Sequence, residues 1–473
     1  MNSKRRDISI CGLIALTFLW TGCAYLSWFY HLAEFYDPRN VDMLTEVIGY
    51  LFQAAGLVVF AIYRKRNKGR LLSRYSFALI SFAGLMLAFL AALSPSGSVS
   101  LVFGYGMNIV FGMIAASYLY MLAEHSSAKH TGIVFGAGYG IGSILSYLIS
   151  LIGGGNFLAD PKAFIVYVLI CAAGVPLSVN IAGQADADGD GPASLPAESG
   201  TRPQQAAAAG VQPAPAAPDM LNYFWLPGLT ILLLSCVKSG GFYFPAADLG
   251  NHNVSLELSR SFYAAGLIIA GLINDKRRSA GAVLCVAALV FPFFTMIAGS
   301  HSGINYMLWI SGYVFFGFYA VYRVLLFTDI SRSDSGLAHL ACMGLMWGRI
   351  GDAAGAAGGI ILGSRSMILI TLMAVLFVIC IFMFFHLYQK MYMQPAKAEP
   401  DYVLQFATVY DLSQRETELL RLILSGCTNK EAAEKLFISE NTVKFHVRNL
   451  FRKTGCKKRS ELLSLFDSFR SPQ

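Results

Sequence analysis

Charged residues are scarce in this sequence. They make up 14% of its 473 residues, and 55% are hydrophobic, whereas about 25% of the residues of an average soluble domain are charged. This balance excludes an ordinary soluble protein, and the abundance of apolar residues excludes a disordered chain. Most of the chain is therefore expected to lie in lipid.

Cysteine is limited to nine scattered residues, and no two of them form a CxxC pair. An odd number without such pairs argues against a disulfide framework and against a zinc site. The sequence also contains no GxSxG, HExxH or Walker motif, the patterns that accompany common catalytic and phosphate-binding sites. We predict no metal, no cofactor and no enzymatic activity.

Long apolar runs recur from the amino terminus to about residue 390. A helix needs about 20 mostly apolar residues to cross the hydrocarbon core of a membrane. The first run leads directly into a second one, so we interpret it as a retained span rather than as a cleavable signal peptide. We place twelve spans, at residues 8–30, 42–63, 76–93, 100–123, 132–152, 162–182, 221–243, 256–274, 279–298, 304–328, 338–363 and 366–390.

Basic residues mark one set of connecting loops. Residues 4–6, 64–70 and 276–278 are rich in Lys and Arg and fall on the same side, while the loops at 94–98 and 299–303 contain neither. Basic loops stay in the cytoplasm. The pattern therefore predicts a multi-pass protein of the inner membrane of a bacterial cell, in contact with lipid, with both termini in the cytoplasm.

The spans fall into two sets of six. Between them, residues 183–219 are rich in Ala, Pro, Asp and Gly and have no apolar period, which predicts a disordered cytoplasmic linker. The membrane part then consists of residues 1–182 and 220–393. Each half has a basic loop after its second helix and a glycine-rich fifth helix, and small residues of this kind let helices pack closely in membranes.

Two basic loops carry a further pattern. Residues 271–278, GLINDKRR, resemble the loop G-x-L-x-D-R-x-G-R-R of the major facilitator superfamily, and residues 63–70, YRKRNKGR, resemble a degraded copy without the aspartate. The resemblance implies an all-α, polytopic bundle of six plus six helices around a central cavity. It supports this fold better than it supports transport.

The composition changes abruptly beyond residue 393. Prolines and charged residues replace the apolar runs, and we interpret residues 394–403 as a tether. Residues 404–473 are then a separate small domain, for which the sequence predicts four helices.

Helix caps divide this domain. Residues 413–416 (SQRE) and 428–431 (TNKE) fit the capping box that begins a helix. Ser439 and Ser460 are predicted to cap two more helices, and Gly426 is suited to the turn after the first. A short helix followed by a longer one is the helix-turn-helix layout, whose second helix enters the major groove of DNA.

The longer helix is strongly basic. Residues 440–459 contain seven Lys or Arg and one acid, the pattern expected for binding phosphates. Residues 412–416 (LSQRE), 429–433 (NKEAA) and 438–447 (ISENTVKFHV) resemble the LuxR-type (GerE) DNA-binding domain. Double-stranded DNA is the partner that this resemblance implies.

The resemblance also implies roles for five residues. Lys444, Phe445 and Arg448 are expected to face base edges, while Thr442 and Lys453 are expected to meet phosphates. For Phe445 the alternative is a packing role against the supporting helix.

The last predicted helix, residues 460–469, is apolar on one side. It carries Leu462, Leu463, Leu465 and Phe466. In the LuxR family the equivalent helix contributes to dimer contacts, which implies a homodimer on two-fold symmetric DNA sites. Alternatively, these residues only complete the core of one monomer.

Ionisable residues within spans are costly and are therefore candidates for a ligand site. They are Glu46, Lys238, Arg349 and Asp352. Lys238 favours an anionic or aromatic ligand, whereas Arg349 and Asp352, three residues apart, could simply pair with each other. Arg323 is expected to reach the membrane interface and to be structural.

These features predict a one-component, membrane-bound transcriptional regulator. The bundle would sense a small molecule and control DNA binding by the LuxR-type domain, which acts on the transcription machinery. The alternative is a major-facilitator-type transporter with a regulatory DNA-binding tail. In a third interpretation the bundle is a passive anchor.

Overall fold

A computed structural model of the chain describes residues 3–67, 74–153, 161–187, 221–248, 256–298, 302–362, 365–393 and 402–470. The regular elements within these ranges are helical. The chain divides into two compact units, residues 1–393 and 394–473, and each has its own hydrophobic core. Most of the predicted linker and most of the predicted tether lie outside the described residues.

Over the described residues of its first half, the larger unit contains six helical traverses. They are α1 (Ser3–Leu32), α2 (Pro38–Asp42) continued by a π-helix (Met43–Gly49) and α3 (Tyr50–Arg66), α4 (Arg74–Ala92), α5 (Gly97–His125), α6 (Thr131–Gly153) and α7 (Pro161–Ala187). Helix α7 continues through the first five residues of the predicted linker.

The second half repeats this count within the described residues. Its traverses are a π-helix (Leu221–Trp225) with α8 (Leu226–Asp248), α9 (Leu256–Lys276), α10 (Arg278–Ala288) with α11 (Phe291–Ala298), α12 (Ser302–Ser333), α13 (Met343–Leu362) after a 3-10 turn (Ser335–Leu340), and α14 (Ser366–Tyr392). Each of the twelve predicted spans overlaps one of these traverses in the described residues. In the part of the chain that the structure describes, eight helical segments are long and apolar enough to cross a membrane by length and composition.

Glycines of the fifth helices bring helix backbones into contact, both between the two halves and within the second half. A Cβ atom on Gly136 of α6 would lie 2.3 Å from the carbonyl oxygen of Leu267 in α9. In the second half, a Cβ atom on Gly351 of α13 would lie 2.3 Å from the carbonyl oxygen of Leu232 in α8. Both distances are far inside van der Waals contact, so the predicted role of the glycine-rich fifth helices in close packing is confirmed.

A hydrogen-bond network joins the two halves at one end of the bundle, which we name the basic end after residues 64–66 and 276–278. Asp275, in the last turn of α9, accepts hydrogen bonds from the backbone N–H groups of Gly132 and Ile133 at 2.7 and 2.8 Å. These groups lie in the first turn of α6, where a helix has unpaired donors. The aspartate of the superfamily-like loop therefore holds the halves together.

Arg332 makes a second connection at the basic end. Its guanidinium, near the end of α12, donates to the carbonyl oxygens of Ala123 at 2.6 Å and Leu122 at 2.8 Å. It also donates to the carbonyl oxygen and the hydroxyl of Ser126, both at 2.9 Å, and to the Thr131 hydroxyl at 2.7 Å. All five acceptors belong to the first half, so this one buried side chain connects the two halves at the basic end.

The smaller unit contains the four predicted helices and a short one before them. They are α15 (Tyr402–Val409), α16 (Gln414–Leu424), α17 (Asn429–Leu436), α18 (Glu440–Thr454) and α19 (Arg459–Arg470). Ser413 and Thr428 form the predicted capping boxes, and the Ser439 hydroxyl accepts a hydrogen bond from the N–H group of Thr442 at 3.1 Å.

The predicted cap at Ser460 is wrong. Helix α19 begins at Arg459, and its first turn is already closed by a hydrogen bond from the Leu462 N–H group to the Lys458 carbonyl oxygen. The Glu461 carboxylate accepts a hydrogen bond from the Lys457 N–H group at 2.7 Å. The helix therefore begins upstream of Ser460, where the Glu461 side chain pairs with a backbone N–H group of the preceding turn.

Helix α15 was not predicted, and it completes the core of this unit. The Phe406 side chain is fully buried. Its ring centroid lies 5.4 Å from that of Phe466 and 5.4 Å from that of Phe469. Helix α19 also buries Leu462 in the same core, so the interpretation of its apolar side as part of the monomer core is supported.

We expect Phe406→Ala to lower the free energy of unfolding of residues 402–473 by about 3–5 kcal/mol, the usual cost of deleting a buried phenylalanine ring. Urea denaturation followed by circular dichroism measures this change. Val409→Ala, on the exposed side of the same helix, is the matched control and should have an effect below about 1 kcal/mol. Equal effects of the two variants would show that α15 does not pack as described.

Candidate DNA-binding helix and ligand cavity

Helix α18 divides into a buried and an exposed side. Val443 and Leu450 lie fully inside the core of the smaller unit, which fixes the rotation of the helix. Lys444, Phe445 and Arg448 are exposed, and 58% of the Phe445 surface is accessible. The structure therefore brings the three expected base-reading residues onto the outer side of one helix, and Phe445 does not pack into the core.

Lys444 is paired within its own helix. Its Nζ atom lies 2.7 Å from a carboxylate oxygen of Glu440, one turn earlier. The hydrogen bond and the positive charge of Lys444 lower the pKa of Glu440. Exposed pairs of this kind contribute little stability, so Lys444 can leave Glu440 at small cost.

Thr442 lies in the first turn of α18. Its N–H group donates to the Ser439 hydroxyl, and the two hydroxyl oxygens are 2.8 Å apart. The start of a helix suits a phosphate because its N–H groups and dipole favour negative charge.

Lys453 has partners inside the domain. Its ammonium donates to the carbonyl oxygen of Asp411 at 2.6 Å and to the carboxylate of Glu416 at 2.8 Å. The side chain is 28% exposed, and that of Glu416 only 5%. The structure thus places Lys453 as a link between α18 and the start of α16. The sequence did not indicate this contact because Lys453 and Glu416 are 37 residues apart.

This link has a pH signature. Burial alone would raise the pKa of Glu416, but the hydrogen bond from Lys453 and those from the Ser413 backbone and hydroxyl outweigh it and lower the pKa. A lowered carboxyl pKa stabilises the fold fully above the ordinary glutamate pKa of about 4.3, and this stability is lost as pH falls through the lowered value.

We expect Lys453→Met to lower the free energy of unfolding at pH 7 by about 2 kcal/mol, the value of a hydrogen bond to a charged group. The difference from the wild type should shrink in acid, where Glu416 becomes protonated in both proteins. Denaturation curves between pH 3 and pH 7 measure it, with the exposed Lys457→Met as the control. A constant difference across this range would contradict the assigned link.

A cavity of about 340 Å³ lies between the two halves of the bundle. Its walls come from α1, the first π-helix, α3, α5 and α6 of the first half and from α8, α9, α12 and α13 of the second. All four predicted candidates, Glu46, Lys238, Arg349 and Asp352, line it, and so does Arg323. Eight tyrosines complete the polar part of the wall: Tyr25, Tyr50, Tyr118, Tyr139, Tyr147, Tyr263, Tyr313 and Tyr319.

Asp352 is the centre of the charged part of the wall. One carboxylate oxygen lies 2.7 Å from Nζ of Lys238 and accepts a hydrogen bond from Ser239 at 3.0 Å. The other lies 3.1 Å from Arg323 and 3.9 Å from Arg349. Arg349 is therefore the most distant of the three cations, and simple pairing of Arg349 with Asp352 does not describe the site.

The expectation that Arg323 reaches the membrane interface is wrong. Its side chain is 5% exposed and bonds to Asp352. Helix α12 continues for ten more residues to Ser333, which places Arg323 deep in the bundle. Sequence reasoning took the span to end earlier, near residue 328.

Glu46 belongs to the part of the wall that the first half supplies, in the π-helix. It accepts a hydrogen bond from the Tyr25 hydroxyl at 2.9 Å. The guanidinium of Arg349 stands 4.2 Å from the ring centroid of Tyr50, within cation–π range. A short π-helix inside an α-helical traverse is a frequent feature of functional sites.

Comparison with known proteins assigns the smaller unit. Residues 411–466 match the model of the family "Bacterial regulatory proteins, luxR family". The chain is 49% identical over 53 residues to the CsgBAC operon transcriptional regulatory protein of Escherichia coli K12, which is 11% of this chain and 24% of that protein. It is 50% identical over 52 residues to the oxygen regulatory protein NreC of Staphylococcus aureus, with shares of 11% and 24%. The chain thus spans about a quarter of the length of these relatives.

The larger unit resembles solved transporter structures in fold. The human organic anion transporter MFSD10 (TETRAN) superposes with a TM-score of 0.56 at 15% identity, over 81% of this chain and all of that one. The major facilitator superfamily transporter FucP in its outward conformation gives a TM-score of 0.50 at 10% identity, over 80% of this chain and 98% of that one. The protein therefore joins a helical membrane bundle with the major facilitator fold to a DNA-binding domain of the luxR family of bacterial regulators.

Proposed function

We propose that the protein is a one-component transcriptional regulator in the inner membrane of a bacterial cell, with both termini in the cytoplasm. A small molecule binds in the central cavity, and residues 404–473 bind specific DNA sites as a homodimer and act on the transcription machinery. The observation that carries this proposal is the presence in one chain of a LuxR-type domain and a bundle whose central cavity is lined by buried charges.

The connection between the two parts is short. From Met393 to Tyr402 the chain has about ten residues, which reach about 35 Å at full extension. DNA bound by the domain therefore stays near the membrane. A ligand that binds one conformation of the bundle more tightly shifts its population, and a short connection is suited to passing this shift to the DNA-binding domain.

Replacing the bundle tests the sensing role. A chimaera in which an unrelated single-span anchor precedes residues 394–473 should occupy the same promoters as the full chain but give constant transcript levels across growth conditions. The full chain should give levels that change with conditions. Identical transcript responses of the chimaera and the full chain would show that the bundle acts only as a passive anchor.

A second candidate function is transport, which the fold of the bundle favours. MFSD10 is described as an organic anion transporter, and a working transporter with a regulatory tail would move its substrate through the same cavity. Uptake by vesicles separates the two functions. Our proposal expects no flux above background, whereas robust flux that persists after deletion of residues 400–473 would favour transport.

A further inference from the structure

The charges in the cavity wall do not cancel. Among the described residues that line it, Lys238, Arg323 and Arg349 are cations, and Glu46 and Asp352 are carboxylates. The wall therefore carries an excess of one positive charge. An uncompensated charge away from water is costly, and an occupant with one negative charge would neutralise it.

Lys238, Arg323 and Arg349 form a group that we name the cation cluster, and the carboxylate of Asp352 already lies among them. It is 2% exposed and contacts all three cations, yet it does not use all their donors. The Nε atoms of Arg323 and Arg349 are buried without a hydrogen-bond partner in the described part of the chain. Buried donors are rarely left unpaired, so the cluster has capacity for a further acceptor.

The position of Lys238 makes it the cation that an occupant reaches first. Its side chain is 19% exposed, against 5% for Arg323, and Arg349 is 16% exposed at 3.9 Å from Asp352. Lys238 and Arg349 thus face open space, while Arg323 is nearly enclosed. A carboxylate that enters the cavity meets these two cations in direct competition with Asp352.

The rest of the cavity wall favours a ligand with a flat aromatic ring. Eight tyrosines line the cavity, and rings of this kind stack on aromatic partners while their hydroxyls serve polar substituents. Ligand pockets commonly measure about 300–1,000 Å³, so a cavity of about 340 Å³ holds a small molecule of roughly one ring.

We propose that the cavity binds a small aromatic carboxylic acid with one negative charge, whose carboxylate bonds to Lys238 and Arg349 and displaces Asp352 from Lys238. This inference rests on the proposed function, because it names the class of ligand that the sensor takes. Displacement loosens the connection of α8 to α13, two helices that pack through the close contact at Gly351. The ligand thereby acts on the packing within the second half of the bundle.

Binding to the full-length protein in lipid nanodiscs tests the class of ligand without DNA. The probes are benzoate, phenylacetate and cinnamate, each paired with its neutral amide, and isothermal titration calorimetry measures binding. At least one acid should bind, and its amide should bind at least tenfold more weakly. Equal binding of acid and amide, or binding of none of the three acids, would overturn the proposal.

Two variants should change the affinity in opposite directions. Lys238→Met removes a charged donor and should weaken binding of the acid by roughly 10- to 100-fold. Asp352→Asn keeps the shape but removes the competing charge, so it should strengthen binding of the acid while leaving the amide unchanged. Lys276→Met, exposed at the end of α9, is the control and should bind as the wild type does.

The outcomes separate this inference from the proposed function. Weaker acid binding by both Lys238→Met and Asp352→Asn would mean that the cluster is only structural and would overturn the displacement. Should Asp352→Asn not fold, the acid and amide affinities of the wild type and of Lys238→Met still decide. If the acid binds as expected but occupancy of promoters in cells does not respond to it, the ligand class stands and the sensing role fails.

Discussion

Replacing both Lys444 and Arg448 by alanine is expected to remove most of the sequence-specific DNA binding while the domain stays folded. Both side chains are exposed on α18, away from Val443 and Leu450 in the core, so their loss removes no packing. Lys and Arg donate to the O6 and N7 atoms of guanine, and each good contact of this kind discriminates by about 1–3 kcal/mol. Loss of two should weaken specific binding by roughly 100- to 1,000-fold.

Footprinting on a promoter bound by the wild type measures this loss, and circular dichroism checks the fold. Arg415→Ala is the matched control because this arginine is exposed on α16 and pairs with Glu418. Its removal lowers the charge without touching α18 and should leave the footprint in place. A wild-type footprint from the double variant would remove Lys444 and Arg448 as base readers.

The same experiment separates reading of bases from attraction to phosphates. The double variant also loses two positive charges, so non-specific binding at low salt should weaken as well, and its salt dependence should become less steep. Phe445, 58% exposed between these residues, can still touch a thymine methyl. Residual preference for particular sites in the double variant would come from this ring.

Local chemistry made much of the smaller unit predictable from sequence. The capping boxes at Ser413 and Thr428 and the cap at Ser439 depend on residues three positions apart, so the sequence displays them directly. The start of α19 escaped prediction because Glu461 reaches back to Lys457. Helix α15 escaped because Phe406 is anchored by rings about 60 residues later in the sequence.

Contacts between residues far apart in sequence also escaped prediction in the cavity, and there they include most of the charged contacts. Sequence spacing revealed only the neighbours Arg349 and Asp352, which turned out to be the weakest of the contacts of this carboxylate. Lys238 and Arg323 approach Asp352 from α8 and α12, and no spacing along the chain indicates that meeting. Intramembrane charge did single out four residues that line one cavity, Glu46, Lys238, Arg349 and Asp352, since the cost of such charges makes them rare wherever they have no role.

The second large effect is expected from Arg332→Leu at the basic end. Arg332 is 7% exposed, and its guanidinium donates to three carbonyl oxygens and two hydroxyls of the opposite half. Without it these acceptors lose the charged donor that reaches them from the second half, and the leucine offers no hydrogen bond in its place. Since hydrogen bonds to a charged group contribute about 1.5–3 kcal/mol, the closed arrangement should become roughly 10- to 100-fold less favoured against an open one.

Labelling of a cysteine placed at Ala128 measures this shift. The residue is buried at the basic end, so the thiol should react slowly with a charged maleimide in an otherwise wild-type chain. It should react about tenfold faster or more when Arg332→Leu is added.

The chain without Ala128→Cys gives the background labelling from its nine native cysteines. Arg277→Leu, exposed at the same end, removes an equal charge and should leave the labelling rate unchanged. If Arg332→Leu also leaves it unchanged, Asp275 and its partners close this end without Arg332. An increase would identify Arg332 as a residue through which the two halves control their opening.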